Sequence, residues 1–291
     1  MTSADLLLRV RPDSQALADR VVAEVWAAGA LGVEERLLTD GIELVIYLPR
    51  PSESAIRSVL QGMLVSERIG EASEPLGEKD WSEAWKDGLE AIVISPRLVV
   101  RPSFVEYSLE DGQHELVVDP GQAFGTGGHE STRLALEWVD ELSKRGGRAV
   151  RVLDVGTGSG VLGLASVKLG ARWALGFDLD REAVSEARRV AKGNGLAGGL
   201  ALFAGPIHAL GEGLFDRVLV NLLRSEMLPI AEEIATKLSQ QGDLVLSGLL
   251  DSDRSEVLSA FAAFGLEERG ERTLRDASGA VWSAPLLGFS R

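Results

Sequence analysis

The chain has 291 residues, 45% apolar and 25% charged, with no cysteine, three histidines and a formal net charge of −14. That length supports a large core and two domains, while the composition excludes disulfides and cysteine metal sites and gives no reason to expect a bound metal. The acidic balance argues against a broad phosphate-binding face, hence against direct nucleic-acid binding. No run of about 18 apolar residues suggests a membrane span, and Met1-Thr-Ser-Ala-Asp5 lacks a basic, apolar signal core, so a cytoplasmic protein is expected.

In chain order, Asp5 to Val10 reads as a strand, and Pro12-Asp13-Ser14 opens an amphipathic helix to about Ala28. Gly29 to Glu35 and Ile42 to Leu48 read as strands joined by the turn Thr39-Asp40-Gly41. Pro51-Ser52-Glu53 starts a second helix to about Ser66, with a last strand near Ile69. The order strand, helix, strand, strand, helix, strand predicts a small ferredoxin-like α+β domain over 1–70. Residues 71–90 read as an acidic linker in which Trp81 and Trp85 share one face of a short helix.

Strands are expected around 92–94, 98–101 and 115–118, and a helix over 130–142. The apolar run Val150 to Val155 reads as a buried parallel strand, ending in Gly156-Thr-Gly158-Ser-Gly160 and a helix over 161–169. A second strand ends at Asp178. The glycines let a ligand touch backbone, and the carboxylate at the next strand tip is placed to grip ribose hydroxyls, so the unit is expected to bind a nucleoside-containing cofactor. Read from Gly158, Gly160 and Gly163 the pattern suggests a dinucleotide; read from Gly156 with Asp154 before it, it resembles the first motif of S-adenosylmethionine methyltransferases. A helix over 180–193, strands at 200–204 and 216–220, one helix over 224–238, a strand at 243–247, a helix over 253–263 and a closing hairpin after 266 complete an α/β pattern. Asp154, Gly156, Asp178 and Asn221 all fall at strand ends, where such sheets bind ligands.

Asp80-Trp81, Trp85-Lys86, Asp119-Pro-Gly-Gln-Ala-Phe-Gly-Thr-Gly-Gly-His-Glu-Ser-Thr-Arg133 and Val218-Leu-Val-Asn221-Leu-Leu223, together with the glycine turn, resemble the ribosomal protein L-eleven methyltransferase family. The resemblance implies a seven-stranded Rossmann-like methyltransferase domain over 91–291 and a substrate-recognition role for 1–70. It further implies S-adenosylmethionine as cofactor and a large-subunit ribosomal protein as substrate, methylated on lysine side chains or an α-amine. Carried over residue by residue, Phe124, Gly125 and Thr126 close over the cofactor and Thr132 contacts it. Gly156 and Gly158 pass close to it, with Asp154 beside them, and Asp178 holds the ribose. Asn221 faces the transferable methyl and is the expected catalytic residue, with Leu222 and Leu223 keeping the pocket dry. Rival readings are a lysine methyltransferase of another protein, a non-catalytic assembly factor and a dehydrogenase. Asn221 and His129 each also read as plain helix caps. The segment Gly128-His-Glu-Ser-Thr132 departs from the family's Thr-His-Pro-Thr-Thr, and Arg224 stands where a small residue is usual.

Overall fold

The computed structural model describes residues 6–12, 15–38, 41–64, 72–75, 89–119, 128–145 and 150–290. The chain divides into two compact units, Met1–Gly88 and Leu89–Arg291.

In the first unit, β1 (Leu6–Val10), α1 (Gln15–Ala27), β2 (Gly32–Leu38), β3 (Gly41–Leu48), α2 (Glu53–Leu64) and β4 (Ala72–Pro75) form an antiparallel sheet of order β2-β3-β1-β4, the ferredoxin-like arrangement. Alternate strand residues Leu8, Val10, Leu44, Ile46 and Leu48 face one way and meet Val21, Val25, Ile56 and Leu60, which recur at helical spacing on α1 and α2. The sheet runs past the boundary expected at residue 70, because β4 pairs with β1 from Leu6↔Pro75 to Arg9↔Ala72. Ala-Ser-Glu-Pro is a short edge strand that tolerates its proline and carries no apolar alternation, so it read as linker. Residues 76–88, with Trp81 and Trp85, lie outside the described residues.

The second unit opens with β5 (Ile92–Ser95), β6 (Leu98–Arg101) and β7 (His114–Val117), a sheet of their own. After α3 (Glu130–Lys144) come β8 (Arg151–Val155), α4 (Val161–Lys168), β9 (Trp173–Asp178), α5 (Arg181–Gly193), β10 (Leu200–Ala204) and β11 (Phe215–Asn221). Then follow α6 (Arg224–Met227), α7 (Ala231–Lys237), β12 (Leu238–Ser247), β13 (Leu249–Leu250), α8 (Arg254–Ala262), β14 (Leu266–Arg275) and β15 (Val281–Phe289). The main sheet has the order β10-β9-β8-β11-β12-β15, parallel through β12, with β15 antiparallel and paired also to β14 and β13. It is the expected seven-stranded sheet plus the two-residue β13. One helix expected over 224–238 is instead α6 and α7 with a tighter turn at Leu228–Ile230; Pro229 has no amide hydrogen to continue the ladder.

Strand residues alternate between two apolar layers. Val152, Leu219, Val245 and Leu286 pack towards α3, α4 and α5. Leu153, Val218, Val220, Leu244, Leu246 and Leu287 pack towards α6, α7 and α8. From β8 the chain winds out to β10, then crosses back to β11, so the order reverses between β8 and β11. That reversal opens a crevice at the carboxyl ends of those two strands. No described helix is long and apolar enough to cross a membrane.

Candidate active site

The turn after β8 bends as its glycines allow. Gly156, Gly158 and Gly160 have φ of 65°, 52° and 82°, in the left-handed region that disfavours side chains. At Gly156 a Cβ would also approach within 2.5 Å of Leu222 Cδ2, so the turn lies against the segment following β11. The Thr157 amide donates to Phe177 O at 2.9 Å, stitching the turn to β9. Asp154 is only 1% exposed. Its Oδ2 accepts the Thr157 hydroxyl at 2.8 Å and the Gly163 amide at 3.0 Å, bracing the turn from below. Burial pushes this carboxyl up to about 7, and the charge of Asp178 adds to the push, against the pull of the two hydrogen bonds.

At the tip of β9, Asp178 Oδ2 accepts the Gly158 amide at 3.1 Å and Oδ1 the Asp180 amide at 3.0 Å. Between Asp178 and Asp180 stands Leu179, 77% exposed. Asp180 caps α5 by accepting the Glu182 amide at 2.8 Å.

At the tip of β11, Asn221 Nδ2 donates to Thr132 Oγ1 at 3.1 Å. Its Oδ1 is buried and meets no hydrogen-bond donor among the described residues. Asn221 sits opposite Ser247 of β12, whose hydroxyl donates to Ser131 O at 2.8 Å. Two adjacent strand tips therefore hold consecutive residues of the first turn of α3. His129 caps that helix: its Nδ1 accepts the Ser131 amide at 3.2 Å, and its ring stands edge-on to Trp282 at 4.5 Å.

A family model described as ribosomal protein L11 methyltransferase (PrmA) matches residues 7–273. The chain belongs to the ribosomal protein L11 methyltransferase family. It is 43% identical over 188 residues to the protein of that name from Syntrophotalea carbinolica, covering 65% of this chain and 61% of the relative; this chain thus matches less than two thirds of that relative's length. It is 30% identical over 268 residues to the one from Exiguobacterium sp., covering 89% of this chain and 85% of the relative. Among solved structures, a ribosomal protein L11 methylase from Lactobacillus delbrueckii subsp. bulgaricus superposes with a TM-score of 0.61 at 27% identity, over 69% of this chain and all of that one.

For a member of the L11 methyltransferase family, the structure brings Gly156, Gly158, Asp178 and Asn221 to one end of the sheet, with Asp154 beneath the turn. Asp154 is enclosed by Thr157 and Gly163, and Thr132, 0% exposed, is enclosed against Asn221. Phe124, Gly125 and Thr126 lie outside the described residues. Leu222 is half-buried beside Gly156, but Leu223, expected to line a dry pocket, is 58% exposed. It occupies the N-cap of α6, and the turn into that helix faces its side chain outwards. Arg224 is held by Asp253 at 3.3 Å and Glu256 at 2.7 Å, which fixes the chain just after Asn221. Sequence reading missed Leu179 and Ser247. An apolar residue between two aspartates at a strand end was the available signal for Leu179; nothing local marked Ser247.

Proposed function

We propose that the chain transfers methyl groups from S-adenosylmethionine to lysine side chains or the α-amine of ribosomal protein L11. The observation that carries this reading is the Asn221 carbonyl oxygen, buried and without a donor at the crevice between β8 and β11. An acceptor left unmade in a buried position costs about 1–3 kcal/mol, a cost retained where a ligand supplies the donor.

The residues fit the cofactor. Gly156 leaves room where a Cβ would crowd Leu222, Asp178 offers carboxylate oxygens at the β9 tip, and exposed Leu179 offers an apolar face to a base. Gly158 amide and Asp178 are already joined, so ribose hydroxyls meet a carboxylate held in place. Phe124, Gly125 and Thr126 close the site from above. When bound, the cofactor supplies a methyl group activated by its sulfonium charge. The chain's own task is alignment, worth up to about 7–11 kcal/mol in favourable cases. A lysine amine, with an ordinary pKa near 10.4, gives up its proton to solvent before its lone pair can attack. Asn221 Oδ1 then accepts an amine N–H and stabilises the positive charge that grows on nitrogen as the new bond forms. The small first unit recognises the protein substrate.

The test is mass spectrometry of purified L11 after incubation with the chain and isotope-labelled S-adenosylmethionine, with calorimetry of cofactor binding alongside. Labelled methyls on L11 lysines or its amino terminus are the expected result. Label on another ribosomal protein would change the substrate; absence of cofactor binding would overturn the reading altogether.

A further inference from the structure

The methyl-transfer reading needs Asn221 to present oxygen, not nitrogen, to the amine. A carboxamide is nearly symmetric in shape, and its terminal torsion is broadly two-fold, so packing alone does not choose the face. Presented the other way round, the amide would aim a donor at a donor and oppose the growing cation. Something must set its polarity.

We propose that Thr132 is the positioning residue that sets the polarity of the Asn221 amide. Its Oγ1 takes the Nδ2 hydrogen at 3.1 Å, so Oδ1 is turned away from α3 to the place where no described donor meets it. Thr132 is itself fully enclosed, so it acts through Asn221 and offers no surface to a ligand. The threonine is held in turn by its helix. Ser247, which neighbours Asn221 across β11 and β12, donates to Ser131 O at 2.8 Å, and the His129 ring accepts the Ser131 amide at 3.2 Å. The first turn of α3 thus cannot slide along the strand tips without breaking both a serine and an asparagine bond. Neither bond involves a charged group, so the arrangement holds across the pH range of the reaction.

This inference rests on the proposed methyl transfer, but one arm of its test does not. In protein carrying isotope-labelled asparagine, the Asn221 side-chain amide signals are identified by their loss in Asn221→Ala. Thr132→Val should shift them and Thr132→Ser should not. With L11 as substrate, Thr132→Val should lower turnover about tenfold or more while cofactor affinity stays within about twofold, and Thr132→Ser should restore most of the loss. In an Asn221→Ala background, Thr132→Val should change turnover by less than about twofold, because its target is gone. Unshifted Asn221 signals in Thr132→Val overturn the proposal. So does a full additional loss of turnover in the Asn221→Ala background, which would give Thr132 an independent role. If the wild type leaves L11 unmethylated, the methyl-transfer reading fails by itself and the amide signals alone decide whether Thr132 sets the polarity.

Discussion

The two ends of the parallel sheet treat their polar groups in opposite ways. At the amino ends, everything is paired. The Arg151 guanidinium grips Asp216 through two bonds of 3.1 and 3.0 Å, and its amide reaches the same carboxylate at 2.9 Å. Buried Arg217 reaches Leu142 O, and Lys237 Nζ reaches Leu210 O at 2.9 Å. At the carboxyl ends, Asn221 Oδ1 is left over, Leu179 faces solvent and three glycines hold positive φ. One end uses its hydrogen-bonding capacity to close the sheet. The other keeps some in reserve for what binds there.

The contrast is broken most sharply at Asp178. Asp178→Ala should weaken S-adenosylmethionine binding by about 1.5–3 kcal/mol, the range for a hydrogen bond to a charged group. It should also lower the melting temperature, because the Gly158 and Asp180 amides lose their acceptor. Calorimetry showing wild-type affinity together with a lowered melting temperature would make Asp178 a staple of the turn and nothing more.

Asp154 gives a pH signature. Burial raises its folded pKa to about 7, above the ordinary carboxyl value. The folded state therefore holds a proton that the unfolded state releases, and the stability this contributes is complete below pH of about 4 and lost as pH rises through about 7. Across that window wild type should lose stability relative to Asp154→Asn at up to about 1.4 kcal/mol per pH unit. Parallel urea-midpoint profiles for the two proteins would show that the carboxyl titrates normally.

The smallest effect belongs to the closed end. Burial raises the Asp216 carboxyl, but the Arg151 guanidinium and amide outweigh it and hold the group below its ordinary value. Both side chains are about a third exposed, so the pair is partly screened. Asp216→Ala should cost about 1 kcal/mol of stability in a urea titration and leave cofactor affinity unchanged. A loss of affinity there would mean that the two ends are coupled.

Much of this was legible in the sequence, for reasons that differ by element. The strands of the main sheet are buried on both faces and so read as apolar runs. Gly156, Gly158 and Gly160 announce a turn, because glycine alone adopts those angles without strain. Asp178 and Asn221 are legible as polar residues closing apolar strands. What could not be read is which partner each polar group chooses. That His129 caps α3, that Thr132 faces inward onto Asn221 and that Asp154 braces the turn all depend on residues far apart in the chain. The break in the expected helix at Pro229 was signalled locally, whereas β4 was hidden because an edge strand needs little apolar pattern.

The position of β15 has a consequence for how the second unit is made. Val281–Phe289 is the latest of its strands in the sequence, yet it lies inside the sheet, between β12 and β14. During synthesis the ferredoxin-like sheet has all four of its strands by residue 75, whereas β14 has no neighbour and β12 only one until β15 leaves the ribosome. Domains generally fold as units in order of emergence, and long-range pairings close late. The half of the site that rests on β11 and β12 is therefore completed only by the strand that emerges after all the others.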